Sequence, residues 1–438
     1  MSLPEFPPTT KPFKVALVGG GIGGLSLAVG LLKHGVPFHI YEAAPFFSEI
    51  GAGVGFAPNA QRAMGLIDPR IKAGYDRHAT VNAYEDNQKY FFEFRMGMDG
   101  RAGSRTEGKK AGDLISQPGG PGKGMNMIHR ARFLEELVAL LPEGCASFAK
   151  TLSRVEELDE GVRLHFEDGT TAEADAAIGC DGVRSRVRDS LFGERTRAVF
   201  SGKYAYRGFV PMEAAVELLG EPLARNSQAY LGYGGHVLTM PVERGKTMNV
   251  VAFQTKPDGV WEHDMWRLPM RKDDLHRDFA EWSPDVNKIL SLMQQPDIWA
   301  LFDHPRLKQL SRGKIALIGD AGHATTPHQG SGAAMALEDA YVLSGLLGIT
   351  DSKEEIPKAL QAFSIVRTER TMTLVETSRQ CGEVYEFLGP DGDNLAQIDA
   401  NLRVRYNWIW DEDVAAEGEL AKEIFRSLAR KISFEARL

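Results

Sequence analysis

The stretch Val15-Ala16-Leu17-Val18-Gly19-Gly20-Gly21-Ile22-Gly23-Gly24-Leu25-Ser26 decides the fold, because a short aliphatic run enters a cluster of glycines there. A segment with a helical pattern follows at 25–34, and a second strand-like run at 38–41 ends in Glu42. The order of strand, glycine turn, helix, strand and acid is typical of the β-α-β unit that binds a dinucleotide.

The spacing of the glycines supports this interpretation. Gly19, Gly21 and Gly24 satisfy the pattern G-x-G-x-x-G, and Glu42 lies 18 residues after the last of them. In such units the first glycine makes the tight turn, the second lets the backbone approach a pyrophosphate, and the third lets the helix pack on the strand. The free N–H groups at the helix start then face the phosphates, and the acid faces a ribose.

The composition excludes several classes of protein. The 438 residues are 43% hydrophobic and 25% charged, which is typical of a soluble globular protein with two or three domains. The net charge of −8 gives no reason to expect nucleic acid as a partner. A run of about 18 apolar residues is missing, so we expect no transmembrane segment. Cys145, Cys180 and Cys381 are far apart in the sequence and match no metal or redox spacing, so no metal is expected.

We expect a cytoplasmic location, because residues 1–14 lack the apolar segment of a secretory signal. The final Ala436-Arg437-Leu438 resembles the peroxisomal address S-K-L, so a peroxisomal location is the alternative.

Hydrophobic patterns predict the remaining elements. Strands are expected over 79–95, 151–157, 161–167, 172–178 and in four runs between 200 and 255. Helices are expected over 59–66, 131–141, 272–300, 332–347, 354–386 and from 415 onward. The glycine-rich, charged segment 97–124 is predicted to be a mobile surface loop.

Two further strand ends suit a polar ligand. Residues 176–179 lead into Cys180-Asp181-Gly182, and residues 314–318 lead into Gly319-Asp320. The second is followed by Pro327-x-x-Gly330-x-Gly332, which opens a helix whose first N–H groups suit the polar edge of a ligand.

Together these strand ends resemble the fingerprint of the flavoprotein aromatic hydroxylases, the single-component FAD monooxygenases that include para-hydroxybenzoate hydroxylase. Over residues 14–415 the chain looks like the salicylate-hydroxylase-like branch. The matching segments include Glu49-Ile50-Gly51-Ala52-Gly53, Ala205-Tyr206-Arg207-Gly208, His236-Val237-Leu238-Thr239-Met240-Pro241-Val242, Asn249-Val250-Val251-Ala252-Phe253, Trp299-Ala300-Leu301 and Pro327-His328-Gln329-Gly330. Cys180 and Gly322 stand where this family usually has alanine, and both changes keep a small residue.

The resemblance implies an α/β fold: a Rossmann-like FAD-binding domain with an inserted substrate domain on a mostly antiparallel sheet, and a helical C-terminal segment. The expected division is an N-terminal arm at 1–13, an FAD-binding domain at 14–78, 125–188 and 300–350, a substrate domain at 79–124 and 189–299, and a helical region at 351–438.

The resemblance also implies one FAD, with NADH or NADPH as a transient reductant that docks near Asp181-Gly182, and O2 as co-substrate. An oxygen atom would pass from a flavin C4a-hydroperoxide to a small phenolic acid, and in the salicylate reaction the ring carbon that is attacked loses CO2. The residues implied for FAD are Gly19, Gly21, Gly24, Glu42, Ala52, Gly53, Arg130, Asp181, Asp320, Pro327, Gly330, Ser331, Gly332 and Ala333.

Arg207 is the first candidate for holding the substrate, because a guanidinium matches a carboxylate or phenolate in a bidentate manner. His328 and His323 lie beside the expected flavin loop, and either could take the phenol proton. Tyr230, Tyr233, His236 and Met240 are further candidates for the pocket wall. The expected assembly is a monomer or a homodimer.

Two alternatives stay open. One is a dearomatising monooxygenase of a fungal polyketide phenol, in which a tyrosine often occupies the position of Met240. The other is a flavin-binding protein without catalytic activity, which would hold FAD but show no substrate-stimulated oxidation of NAD(P)H.

Overall fold

The computed structural model describes residues 9–47, 53–120, 122, 124–256 and 258–435. Ala52 and the C-terminal Ala436-Arg437-Leu438, both singled out in the sequence, lie outside the described residues.

The strands fall into four sheets. Their bounds are β1 Val15–Val18, β2 Phe38–Tyr41, β3 Gly53–Phe56, β4 Glu93–Met96, β5 Leu114–Ser116, β6 Asn126–His129, β7 Ala146–Ser147, β8 Leu152–Leu158, β9 Gly161–Phe166, β10 Thr171–Ala174, β11 Ala176–Gly179, β12 Val199–Pro211, β13 Gln228–Gly232, β14 Gly235–Val242, β15 Thr247–Thr255, β16 Arg267–Pro269, β17 Gln294–Asp303, β18 Ser311–Arg312 and β19 Ile315–Leu317.

The helices pack around these sheets. Their bounds are α1 Ile22–Lys33, α2 Pro58–Ile67, α3 Pro69–His78, α4 Arg130–Val138, α5 Arg186–Phe192, α6 Met212–Leu219, α7 Glu221–Ala224, α8 Lys272–Asp278, α9 Pro284–Ser291, α10 Asp320–His323, α11 Gly332–Ile349, α12 Ile356–Tyr385, α13 Leu395–Arg405, α14 Asn407–Trp410 and α15 Val414–Glu435.

The six-stranded sheet has the order β18-β19-β11-β1-β2-β7. Its centre is parallel, because β1 pairs with β11 and β2 and β11 pairs with β19 in that sense. The residues of β1, β11 and β19 are buried throughout, as expected where helices or strands cover both faces. Since parallel strands end at one edge, Gly19, Asp181 and Asp320 meet at the carboxyl edge of this sheet.

The eight-stranded sheet has the order β16-β17-β12-β15-β14-β13-β4-β5, and only the β13–β4 pair is parallel among these described strands. Arg207, Val251 and Leu238 stand opposite one another across β12, β15 and β14, so they share a face. The other face packs on α6, α8 and α9 in a separate core. The face that carries Arg207, Val251 and Leu238 is therefore the one that faces the six-stranded sheet.

This architecture confirms the predicted fold class, with a Rossmann-like parallel sheet, a second and mostly antiparallel sheet, and the helical segment α12–α15. The division of the chain into domains stays a prediction.

Helix α11 is long and apolar enough, by length and composition alone, to cross a membrane, but 72% of it is buried within the protein. It packs against α1, α2, α12 and α15. The core helices of globular proteins pass the same test, so α11 is weak evidence for a membrane span.

The predicted helix over 272–300 is wrong at its end. Residues 294–303 form β17, which pairs with β12 and β16. Its backbone hydrogen bonds join residues that are far apart in the sequence. Whether a short apolar run forms a strand or a helix depends on whether such strand partners are available.

Two predicted strands are also wrong in part. Within 79–95 only Glu93–Met96 belongs to a strand, and a short 3₁₀ helix occupies Glu85–Asn87. The run 172–178 breaks at Asp175, which exchanges hydrogen bonds with the backbone of Lys14. The break separates β10, in a three-stranded sheet, from β11, in the parallel sheet.

Candidate functional site

A cavity of about 680 Å³ lies between the carboxyl edge of the six-stranded sheet and the open face of the eight-stranded sheet. Most residues predicted to hold the cofactor line it, namely Gly19, Gly21, Glu42, Gly53, Arg130, Asp181, Asp320, Pro327, Gly330, Ser331, Gly332 and Ala333. Of the predicted substrate residues, Arg207, His328 and Met240 line it as well.

The glycine turn forms one end of this cavity. Gly19 has a φ of +104°, and a Cβ on it would lie 2.4 Å from the carbonyl oxygen of Cys180. A Cβ on Gly24 would lie 2.2 Å from the carbonyl oxygen of Gly19, so Gly24 serves helix packing and does not line the cavity. A Cβ on Gly21 would meet no described atom within 4 Å, because Gly21 faces the cavity.

The carboxylate of Glu42 is held in place beside this turn. It accepts hydrogen bonds from the N–H of Gly20 at 2.6 Å and from the N–H of Ala44 at 2.8 Å. Two backbone donors orient the side chain at the end of β2, where it lines the cavity and suits the hydroxyl groups of a ribose.

Asp181 both caps the start of α5 and lines the cavity. Its carboxylate accepts hydrogen bonds from the Ser185 hydroxyl at 2.6 Å and from the N–H groups of Arg186 and Val187 at 2.7 and 3.2 Å, at the start of α5. Burial raises the pKa of Asp181, and these hydrogen bonds act in the opposite direction. The residue also lines the cavity, whereas Asp320 reaches the cavity as an exposed carboxylate at the start of α10.

Two helices begin at this cavity with free ends. Within the described residues, neither α1 after Gly21 nor α11 after Ser331 has a side-chain cap or an acidic residue in its first turn. Such a helix start offers unsatisfied N–H groups and a partial positive charge. With the Glu42 carboxylate nearby, the cavity fits an elongated dinucleotide: the start of α1 would hold its phosphates, and the start of α11 would face its ring system.

The wall of the eight-stranded sheet is mainly apolar. Its cavity-lining side chains stand at alternate strand positions and are Arg207, Leu238, Met240, Asn249, Val251, Phe253 and Trp299. Phe91, Phe92, Met125 and Met127 complete this end of the cavity. An apolar chamber with few polar groups is typical of a site for a small aromatic molecule.

Arg207 is the half-buried cation of this wall. Its guanidinium lies 5.4 Å from the ring centre of Trp299, and Arg267 lies at the same distance from that ring. Arg267 pairs with Asp297 at 2.6 Å, whereas Arg207 forms no ion pair within the described residues. Burial, and then the like charge of Arg130, lower the pKa of Arg207 to about 10. An anion in the cavity would relieve both effects.

The two candidate histidines occupy different places. His328 is buried, lines the cavity, and has no hydrogen-bond partner for either ring nitrogen within the described residues. Burial, and then His236, lower the pKa of His328 well below its usual value. His323 is also buried but binds the Asp339 carboxylate at 2.6 Å and does not line the cavity. Of the two, His328 is the one placed to meet a substrate.

Three predicted pocket residues lie outside the cavity lining. Tyr230 is on the opposite face of the sheet, in the core that contains α9. Tyr233 donates to Asp393 at 2.7 Å and lies under Arg101. His236 lies behind Phe253, on which its ring stacks at 4.2 Å.

Sequence reasoning did not single out several lining residues, namely Phe91, Phe92, Met125, Met127, Asn249, Trp299 and Tyr385. Asn249 and Trp299 belong to segments that match the salicylate-hydroxylase-like branch, and this was the available signal. The face of the sheet toward which a strand side chain points depends on how the strand pairs with its neighbours. The sequence of one strand does not specify that pairing.

The fold and the cavity define an FAD-binding protein of the aromatic-hydroxylase type. The chain belongs to the family described as FAD binding domain, whose model matches residues 12–378. It is 39% identical to the 6-methylsalicylate 1-monooxygenase atA of Aspergillus terreus over 429 residues, covering 96% of this chain and 94% of that protein.

Two salicylate hydroxylases show the same likeness. One salicylate hydroxylase of Pseudomonas putida is 38% identical over 432 residues, covering 93% of this chain and 94% of the enzyme. A solved salicylate hydroxylase substrate complex has a TM-score of 0.83 and 36% identity, covering 94% of this chain and 98% of that one. The chain is thus an FAD-dependent monooxygenase that uses NAD(P)H and O2, as predicted.

When bound, FAD takes hydride from NAD(P)H and activates O2. The chain's own residues would orient the reactants and exclude water: the helix starts and Glu42 would hold the dinucleotide, and the apolar wall would shield the reacting ring.

Proposed function

We propose that the substrate is a small phenolic acid of the salicylate type, hydroxylated at the carbon that carries the carboxylate, with loss of CO2 and formation of a catechol. The observation that carries this proposal is Arg207. It is a half-buried guanidinium without an ion-pair partner within the described residues, and it is set in an apolar wall. A carboxylate is the natural partner for such a group, because Arg binds it through two parallel hydrogen bonds.

His328 supplies the second requirement of a phenol hydroxylase. Its lowered pKa keeps the imidazole neutral at neutral pH, so one ring nitrogen has a lone pair that can accept a hydrogen bond from the phenol hydroxyl. The same lowering makes the imidazole a weak base, and the positive charge of Arg207 in the same cavity favours the phenolate that is left when the proton moves to His328. The resulting phenolate is richer in electrons at the ring carbons that oxygen attacks. The relatives named for 6-methylsalicylate and for salicylate support this substrate class.

The test uses the flavin-containing enzyme. Oxidation of NADH and of NADPH is followed with salicylate and with 6-methylsalicylate, while catechol products and CO2 are measured. Arg207→Ala removes a charged hydrogen-bonding partner that is worth about 1.5–3 kcal/mol, so KM for salicylate should rise about tenfold to hundredfold. The flavin content should not change.

Arg267→Ala is the matched control. Arg267 contacts the same Trp299 ring but pairs with Asp297 and does not line the cavity, so KM should stay within about twofold of the wild-type value. If neither salicylate stimulates NAD(P)H oxidation, the substrate proposal is wrong. If Arg207→Ala loses flavin, Arg207 serves the cofactor and not the substrate.

A second candidate, oxidation of a bulkier polyketide-type phenol, is favoured by the thioether side chains of Met125 and Met127 in the wall. Methionine is unbranched and adapts its shape, so such a wall can make room for larger rings. Assays with substituted orcinol aldehydes distinguish the two, because this candidate predicts turnover of the aldehydes and little turnover of salicylate.

A further inference from the structure

The apolar wall of the cavity contains a buried amide, the side chain of Asn249 on β15. Asn249 is 2% exposed and lines the cavity together with Met240 and Val251. Its Oδ1 is buried and has no hydrogen-bond partner within the described residues. A buried polar atom without a partner carries its full desolvation cost, so its presence in a cavity wall points to a ligand that supplies the partner.

Strand pairing places this amide close to Arg207. Asn249 stands opposite Met240 on β14 and opposite Phe209 on β12. Val251, two residues further along β15, stands opposite Arg207. Asn249 is therefore a diagonal neighbour of Arg207 on one face of the sheet, and such neighbours lie about 7–8 Å apart. A benzene ring with a polar substituent at each end can span a gap of this size.

The position of β3 shows which end of the amide needs a partner. A Cβ on Gly53 of β3 would lie 3.7 Å from Nδ2 of Asn249 and 2.8 Å from Val242, so this strand lies close against the sheet at the amide nitrogen. The end without a partner is Oδ1, which can only accept a hydrogen bond. The missing partner is therefore a donor, such as a hydroxyl group.

The chamber thus holds one polar group more than salicylate can use. Arg207 suits the carboxylate and His328 suits the phenol hydroxyl, and both line the same cavity as Asn249. Salicylate has no third polar substituent, and the methyl group of 6-methylsalicylate is not a donor. Either acid would leave Oδ1 of Asn249 buried without a partner.

We propose that Asn249 determines specificity by accepting a hydrogen bond from a second ring hydroxyl, so that the preferred substrate is a dihydroxybenzoate of the salicylate type. The proposal rests on the proposed function, because it keeps Arg207 on the carboxylate and His328 on the phenol. A site that hydrogen-bonds a substrate hydroxyl rejects the analogue that lacks it, because the buried partner is then left unpaired.

The experiment compares salicylate with its four ring-hydroxylated forms, 2,3-, 2,4-, 2,5- and 2,6-dihydroxybenzoate. For each acid, kcat/KM is measured with the holoenzyme, and Kd is measured from the change in absorbance of the oxidised flavin. The variant is Asn249→Leu, which replaces the amide by an apolar group of the same branched shape. Thr239→Val is the matched control, because the Thr239 hydroxyl is also buried without a partner within the described residues but does not line the cavity.

At least one dihydroxybenzoate should exceed salicylate in kcat/KM about tenfold to hundredfold, in the wild type and in Thr239→Val alike. In Asn249→Leu the ratio of kcat/KM for that acid over salicylate should fall to about one, and the ratio of the two Kd values should change in parallel. A merely structural role of Asn249 would lower activity with both acids and leave these ratios at their wild-type values.

The inference is wrong, while the proposed function stands, if the wild type turns over salicylate at least as well as every dihydroxybenzoate, or if Asn249→Leu keeps the wild-type ratios. A weaker Kd for FAD in Asn249→Leu, with unchanged ratios, would assign the amide to the cofactor and also overturn the inference. If none of the five acids stimulates NAD(P)H oxidation, the proposed function fails and the inference fails with it.

Discussion

Replacing Asp339 by asparagine should both destabilise the protein and weaken FAD binding, because this buried carboxylate joins α11 to the cavity. One oxygen accepts hydrogen bonds from the N–H of Gly319 at 3.0 Å and from His323 at 2.6 Å, and the other accepts from Arg367 at 2.8 Å. Gly319 has a φ of +57° and lines the cavity directly before Asp320. The carboxylate therefore holds a turn with a positive φ, which only glycine adopts readily, at the wall of the cavity that fits the cofactor.

The pKa of Asp339 sets the magnitude. Burial by itself raises this pKa, but His323 and Arg367 outweigh it, and the pKa falls from its ordinary 3.8 to about 2. The lowering corresponds to about 2 kcal/mol of stability at neutral pH. Asparagine is neutral, so the positive charge that the Asp339 carboxylate balances is less well compensated in the variant. Arg367 nevertheless keeps its pairs with Glu338 and Glu417. We expect a total loss of about 3 kcal/mol, at the lower end for a broken buried pair.

The sign of the pH dependence follows from the same lowering. A carboxyl group with a depressed pKa stabilises the fold fully above its unfolded pKa, and this contribution is lost as the pH falls toward 2. The difference in free energy of unfolding between wild type and Asp339→Asn should therefore be constant from about pH 5 to pH 8 and shrink below about pH 4.

Urea unfolding of the flavin-free proteins, followed by circular dichroism, measures this difference, and fluorescence titration measures Kd for FAD. Glu369→Gln is the control, because Glu369 is a 75% exposed partner of Arg306 and should change stability by less than about 0.5 kcal/mol. A loss below about 1 kcal/mol in Asp339→Asn, or an unchanged Kd for FAD, would refute the reasoning.

Three further substitutions test the cavity. Gly24→Ala places a Cβ 2.2 Å from the carbonyl oxygen of Gly19, so α1 must shift, and the purified protein should contain little flavin by its visible absorbance. Gly382→Ala places a Cβ 2.8 Å from the His328 ring, which must move; kcat should fall about tenfold or more in a steady-state assay, with full flavin content. Met240→Ala opens the wall and should shift the ratio of kcat/KM for 6-methylsalicylate over salicylate about tenfold toward the larger acid.

A specific result would contradict each of these three predictions. Normal flavin content in Gly24→Ala would show that the helix start tolerates a side chain. Wild-type kcat in Gly382→Ala would remove His328 from catalysis, and an unchanged preference in Met240→Ala would place the substrate elsewhere in the cavity.

The cofactor end of the site was predictable because its signals are local. The G-x-G-x-x-G spacing, Asp181-Gly182 and Gly319-Asp320 each follow a short strand, and all three line one cavity in the structure. Backbone geometry at a strand end depends on a few consecutive residues, so a linear pattern records it.

The substrate end was only partly predictable. Arg207 and Met240 line the cavity and Tyr230 does not, although all three were proposed as substrate-pocket residues. Strand residues alternate between faces, and the pairing of β13 with β14 turns Tyr230 to the opposite side. The segment with Trp299 was predicted to be helical for the same reason. Its strand partners lie far away in the sequence, and the segment itself does not specify them.

The sequence alone determined that the chain binds an extended dinucleotide, because the glycine spacing and the helix starts depend on a few consecutive residues. Only the tertiary structure decided which of the candidate substrate residues line the cavity. It placed His328 in the cavity and His323 against Asp339, and it joined Lys203, His236 and Glu386 into one buried cluster. These contacts join residues more than 100 positions apart in the cluster, and only sheet register and helix packing bring such residues together.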